Sequence, residues 1–325
     1  MRFLWLGLVF ACSSSSSIGD IPPPPDAGAT TNADVSTLAI TKLFIGDTDV
    51  VSAAASTLAW KRIGYDLDGQ TTTADSTSVC IPASSFSSAK VDGVDGIDNA
   101  FGSLLVPLLQ ADLFDLNASD TASTAIAAGK TTTLLRIVGL TDSTQTATGL
   151  AATASMGATI TSGIANASTT WPSIAGTTVT FGTVYVVDGT TVARDADTTL
   201  PLAIWATLSV PLTLAIHHPI ITLRRDGTSP VRGVIAGTLD TSEAIAAFQA
   251  LAGRFSQSLC GSAFDGVVAQ IRDMQDIMLD ETNPPGAPCN AISIGIAFTA
   301  TQIANAQTTV DVPSPPDPCT DAGTD

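Results

Sequence analysis

Residues 212–255 read LTLAIHHPIITLRRDGTSPVRGVIAGTLDTSEAIAAFQALAGRF, and the hydrophobic period changes inside this stretch. From Leu212 to Arg225 the apolar positions alternate, which predicts a strand with Leu212, Leu214, Ile216, His218, Ile220 and Thr222 on one face. Asp226-Gly227 is a hairpin-type dipeptide, and Val231 to Leu239 supplies the returning strand. At Asp240 the period becomes helical. Asp240-Thr241-Ser242-Glu243 has capping-box spacing, in which the Asp240 carboxylate accepts first-turn amides and Glu243 reaches back. Ile245, Phe248, Leu251, Ala252 and Phe255 follow as one helical stripe, and Phe264, Val267, Val268, Ile271, Met274 and Met278 as a second. Strands feeding a helical pair, without a repeating βαβ unit, predict an α+β domain.

The same reading extends outward. Thr133 to Leu140, Val179 to Val187, Thr191 to Arg194, Leu200 to Val210 and Ala291 to Thr299 are strand-like, with an Asp188-Gly189 turn after the second. Together they predict a β-sandwich-like antiparallel body at 35–311, with the C-terminal helical pair near 241–279 and a Pro/Asp-rich tail at 312–325. A length of 325 residues admits one large domain. Hydrophobic residues at 45% and charged residues at 13% exclude an intrinsically disordered chain. Thirteen basic against 30 acidic residues give a net charge of −17, which phosphate backbones repel, so nucleic acid is excluded as a main partner. Nucleotide is excluded too: Ala127-Ala128-Gly129-Lys130-Thr131-Thr132 imitates a phosphate loop, but Thr124 stands where its first glycine belongs and a strand follows where a helix should.

Met1-Arg2, the apolar run Phe3 to Ala11, Cys12 and the tract Ser13 to Ser17 have the layout of an export signal. Nine apolar residues span about 14 Å as a helix, less than half a bilayer core of roughly 30 Å, so the run is expected to be a signal peptide over 1–11. Val9-Phe10-Ala11-Cys12 resembles the lipobox of bacterial lipoproteins. That resemblance implies a lipid on Cys12, anchorage to the outer membrane at its periplasmic or cell-surface face, and a Ser/Pro-rich tether over 12–34. Trp60 to Gly69, Cys80-Ile81-Pro82, Asp92 to Gly102 and Cys289 to Gly295 are together similar to a group of uncharacterised lipoproteins of Gram-negative bacteria. This likeness implies location and one continuous domain, and brings no activity.

The other four cysteines, Cys80, Cys260, Cys289 and Cys319, make an even set that predicts two disulfides in an exported chain. Of three connectivities, Cys260 with Cys289 is favoured, because the pair brackets an expected helix of about 24 Å that a short return loop can retrace. Cys80 with Cys319 follows by elimination, and would pin the tail.

Asp66, Asp68, Asp92, Asp95 and Asp98 concentrate hard oxygen ligands between glycines, the composition a Ca²⁺ site needs. The EF-hand spacing fails at Gln70 and Thr77, and the competing expectation is a series of turns ending in a helix N-cap at Asp98. His217 and His218, adjacent on a strand, point to opposite faces and cannot chelate one metal together. A Ser/His/Asp site assembled in space stays open, which keeps an envelope hydrolase as an alternative. Trp60, Trp171 and Trp205 keep a second alternative, a carbohydrate-binding module with a sugar-stacking platform, against the plainer role of core packing. The leading expectation is a lipid-anchored envelope protein with a structural or binding role toward a glycan or protein.

Overall fold

A computed structural model describes residues 19–29, 34–82, 88–112, 117–140, 145–161, 165–205, 211–225, 231–305, 308–313 and 317–319. In chain order the strands are β1 (Val35–Phe44), β2 (Thr132–Val138), β3 (Ala147–Thr148), β4 (Ala151–Gly157), β5 (Ser173–Ile174), β6 (Val179–Thr180) and β7 (Thr183–Val187). They continue with β8 (Thr190–Arg194), β9 (Thr199–Trp205), β10 (Pro211–Arg224), β11 (Val231–Asp240), β12 (Ala291–Ile303) and β13 (Thr309–Val310). The helices are α1 (Val106–Asp112), α2 (Ala118–Ala127), α3 (Thr241–Phe255) and α4 (Asp265–Asp273), and a π-helical turn at Phe101–Leu105 leads into α1.

All the described strands join one curled sheet in the order β13-β5-β4-β2-β1-β12-β11-β10-β8-β7-β3, with β6 beside β4 and β9 beside β10. Each strand pairing is antiparallel except β13 with β5. The α+β class holds. The curl encloses one main core, in which Leu38, Leu135, Leu202, Leu214, Ile235 and Ile294 come from six different strands and Phe248 and Phe264 from the helical region. β12 is the central strand, and its run Ala291 to Phe298 is buried at every position because both of its faces are covered. On the outer face the covering chain is the segment after β1: an added Cβ on Gly295 would meet the Ile63 carbonyl at 2.3 Å and Gly64 Cα at 2.8 Å. Only glycine lets that backbone lie so close to the strand.

The face expected to run from Leu212 to Thr222 changes side part-way. His217 pairs with Thr238 while Ile220 pairs with Ala236, so β10 carries one residue more than β11 over the same span. His218 takes up the excess at φ +50°, opposite Gly237 at φ +153°. A bulge of one residue reverses the alternation. Leu212, Leu214 and Ile216 face the main core before it, and Ile221 and Leu223 face it afterwards. Ile220 therefore turns to the outer face, where it packs with Tyr65 and Ala236, and the Tyr65 hydroxyl meets Thr222 Oγ1 at 2.6 Å.

Local signals hold where the chemistry is local. Asp188 and Gly189 adopt φ +48° and +73° between the paired Val187 and Thr190, the two-residue turn that matches strand twist. Asp240 caps α3, accepting from the Ser242 and Glu243 amides at 2.8 and 3.0 Å. The Asp226-Gly227 turn lies outside the described residues, as do the signal 1–11, Cys12 and tail residues 320–325. Of the expected tether, 19–29 lies on the body: Asp66 N donates to Gly19 O at 2.9 Å, the Tyr185 hydroxyl to Pro22 O at 2.5 Å, and Thr148 Oγ1 to Ala27 O at 3.1 Å. Ile21 is the reason this segment adheres, since it packs beside Tyr65 and Ile220.

Candidate metal centre

Three chain segments separated in sequence bring carboxylates together on the outer side of the sheet. The first is the loop after Tyr65. There Asp66 Oδ1 accepts the Gly69 amide at 2.7 Å and Asp68 Oδ1 the Gln70 amide at 2.8 Å, two side-chain turns that fix both carboxylates in a tight loop. The second runs from Asp92 to Asn99. Asp98 pairs with Tyr65 as an isolated bridge, is 2% exposed, and its Oδ2 accepts the Leu67 amide at 2.7 Å. Asp92 Oδ2 accepts the Thr72 amide at 2.5 Å. The third is Asp276, just past the end of α4, whose Oδ1 accepts the Ser293 amide at 2.8 Å while the Ser293 hydroxyl donates to Oδ2.

One oxygen from each of Asp66, Asp68 and Asp98 lies within 4.8 Å of the other two. That separation suits ligands sharing one cation at about 2.3–2.6 Å. Asp92 and Asp276 stand close enough for their charges to act on Asp98. Among the described residues no lysine, arginine or histidine forms an ion pair with any of the five. Burial is the main cause that raises four of them, and mutual repulsion adds to it: Asp66 to about 6, Asp276 to about 7, Asp92 to about 8, and Asp98 well above the carboxylate range. The Thr72 hydroxyl beside Asp92 is buried at 5% exposure and has no hydrogen-bond partner among the described residues. A hard divalent cation is the chemistry that lets such a group ionise together.

Four of the five expected ligands, Asp66, Asp68, Asp92 and Asp98, thus gather in one place. Asp95 does not join the converging three; it occupies φ +55° in the 3₁₀ turn Val94–Gly96. The expected N-cap at Asp98 is corrected to Asn99, whose Oδ1 accepts the Gly102 amide at 2.9 Å, because the Asp98 carboxylate is turned back to Leu67. Sequence reasoning missed Asp276, which sits inside the apparent helical stripe Met274 to Met278. α4 stops at Asp273, Ile277 forms a bridge with Ala291, and Asp276 is thereby directed at Ser293.

The disulfides are Cys80–Cys289 and Cys260–Cys319. All four cysteines are oxidised as expected, but the expected pairs Cys260–Cys289 and Cys80–Cys319 are both corrected. The chain after α4 does not retrace the helix. It crosses to the 79–81 segment, where Ile81 N donates to Ala287 O and Cys289 N to Ile81 O, each at 2.9 Å, so Cys289 meets Cys80. Cys260, one turn beyond α3, is left beside the tail. The first disulfide braces the carboxylates through Asn283, which accepts from Cys80 N at 2.5 Å and donates to Asp68 Oδ2 at 2.6 Å.

No protein-family model matches the chain, and no curated protein or solved structure matches it either.

Trp171 is buried at 1% exposure with Nε1 donating to Ala158 O at 2.6 Å, which gives it a packing role and removes it from a sugar-stacking platform. Gly129 stands at φ +80° just after α2 with an added Cβ 2.4 Å from Ile160 O, which makes it a helix terminator and removes the phosphate-loop reading. A cavity of about 710 Å³ opens beside the start of α2, with Asp47, Leu58, Gln110 and Asn117 in its wall. Asp47 holds this wall in place by accepting from Ala118 N at 2.7 Å and Gln110 Nε2 at 2.9 Å.

Proposed function

We propose that this chain is a calcium-braced, lipid-anchored protein of the bacterial outer envelope with a structural or binding role. The observation that carries the calcium reading is the convergence of Asp66, Asp68 and Asp98 oxygens within 4.8 Å. In this reading the cation joins the loop after Tyr65 to the loop before Asn99, and the Cys80–Cys289 disulfide holds the third segment beside them. The export signal and lipobox resemblance support the anchor, and the 710 Å³ cavity supports a binding role toward a small glycan or an exposed protein side chain. The approach of β2 and β4 toward β9 across the core supports the sandwich-like reading of the body.

Thermal melts of the intact protein in millimolar CaCl₂ and in EGTA test the cation. Calcium should raise the midpoint, by linkage to the native state alone, and magnesium should raise it less because it holds its waters. Asp98→Asn should abolish the calcium increment. Superimposed melts in calcium and EGTA, with no heat of binding by calorimetry, would overturn the reading. The anchor has its own test: Cys12→Ser should move the protein from the detergent to the aqueous phase on partition, and unchanged partition refutes it.

A further inference from the structure

Just before its bulge, β10 carries a second group of polar side chains on the outer face of the sheet. His217 lies in the ladder between Thr199 of β9 and Thr238 of β11. β11 runs into α3 two residues after Thr238, and the Asp240 cap places Glu243 in the first helical turn, above the same imidazole. The result is a line of three side chains: Thr199 Oγ1 is 3.2 Å from His217 Nδ1, and His217 Nε2 is 2.8 Å from Glu243 Oε2. An ionised carboxylate only accepts, so Nε2 carries the imidazole proton and Nδ1 presents its lone pair to the threonine hydroxyl. This is the tautomer a general base requires, fixed by a third group in the order nucleophile, base, orienting acid. Thr199 also lines a surface pocket of about 310 Å³ together with Pro201, Thr213, Ala215, Thr177 and Val179. Its walls are small and largely apolar, a fit for a short acyl chain rather than a charged substrate.

We propose that Thr199, His217 and Glu243 form a hydrolytic site for short-chain acyl esters, an activity separate from the calcium-braced structural role. In the first step Thr199 Oγ bonds to the acyl carbon and its proton passes to His217 Nδ1. The ester C–O bond breaks, and Nδ1 returns that proton to the leaving alkoxide. Water then adds to the acyl carbon while giving its proton to Nδ1, the Oγ–acyl bond breaks, and the proton returns to Oγ. Glu243 keeps its bond to Nε2–H throughout and steadies the imidazolium. The imidazole is 21% exposed, which gives water the access that the second half of this cycle needs.

The intact protein, with and without EGTA, is assayed with p-nitrophenyl acetate and labelled with a fluorophosphonate probe followed by peptide mass spectrometry. Turnover should persist in EGTA, the adduct should sit on Thr199, and Thr199→Ala and His217→Ala should each lower turnover about a hundredfold. Thr199→Ser, which keeps the hydroxyl, should retain activity and label. Glu243→Gln should lower turnover by less than His217→Ala, since the amide oxygen still accepts from Nε2. Wild-type turnover equal to that of Thr199→Ala overturns the proposal, as does an adduct on any other residue. Loss of activity in His217→Ala alone would mark simple imidazole catalysis and refute it equally.

Discussion

Gly96 lies against the Asp66 carboxylate so closely that an added Cβ would sit 3.0 Å from Asp66 Oδ2 and 2.9 Å from the Gln70 carbonyl. Gly96 also stands at φ +80°, a conformation that a side chain strains. Both constraints fall on the loop that sets the distance between Asp66 and Asp98. Gly96→Ala is therefore expected to cost about 1–3 kcal/mol in denaturant unfolding. It should also reduce the calcium-dependent rise in melting midpoint, because Asp66 must give way to the new methyl. An unchanged calcium increment in a destabilised variant would separate the glycine's backbone role from the cation site.

The raised carboxylates give the calcium-free protein a definite pH dependence. Asp66, Asp92 and Asp276 have folded-state values of about 6, 8 and 7, against an unfolded value near 4. Between these limits the native state binds more protons than the unfolded chain, so stability falls as pH rises. In EGTA the melting midpoint should be higher at pH 5 than at pH 8, with the loss spread over the interval from about 4 to about 8. Calcium should reverse the trend, because it competes with protons for the same oxygens and gains affinity as they leave. A midpoint in EGTA that rises from pH 5 to pH 8 would mean that these carboxylates are not buried as a group.

What the sequence discloses here depends on how far apart the interacting residues lie. The Asp188-Gly189 turn, the Asp240 cap and the α3 stripe as far as Ala252 are decided within a few residues and read correctly, whereas Phe255 is exposed and Glu243 turns to His217 instead of reaching back to the cap. The bulge at His218 has one local mark, Pro219, which has no amide to give the ladder, but its register also depends on Gly237 in the partner strand accepting φ +153°. The same holds for Asp276, which becomes a member of the carboxylate group only through Ser293. β1 pairs with both β2 and β12 near the centre of the sheet, yet Val35–Phe44 includes Ser36, Thr37, Ala39, Thr41 and Lys42 and has no clean alternation. The aspartates were legible as a group because glycine-spaced acids in a chain short of basic residues have few other ways to be compensated.

The Cys80–Cys289 link closes a loop of 209 residues and the Cys260–Cys319 link one of 59. Chain entropy alone makes these worth about 5 and about 4 kcal/mol, upper values that residual structure in the unfolded chain lowers. Non-reducing peptide mapping should recover these two pairs and no free thiol among the four. Cys80→Ser with Cys289→Ser should weaken calcium binding as well as stability, since Asn283 bridges the disulfide to Asp68. The pair Cys260→Ser with Cys319→Ser should lower stability while leaving calcium affinity unchanged. Equal loss of calcium affinity in both double variants would show that the first disulfide has no special relation to the carboxylates.

Gly253 separates two opposed effects at one position. It lies inside α3, where alanine is normally preferred to glycine by about 1 kcal/mol. An added Cβ, however, would stand 2.7 Å from the sulfurs of both Cys260 and Cys319 and 3.1 Å from Pro318 Cγ. The disulfide is packed directly on the helix backbone, and neither sulfur can move without moving the other. Steric conflict should win over propensity, so Gly253→Ala is expected to destabilise the oxidised protein by about 1–3 kcal/mol, the usual cost of overpacking. In the Cys260→Ser/Cys319→Ser background the tail is free to lift away, and the same substitution should become neutral or stabilising. The change of sign between the two backgrounds, read from urea midpoints, is what the packing requires. A Gly253→Ala effect of equal size and sign in both would show that the tail does not press on α3 and that the Cys260–Cys319 link is only a tether.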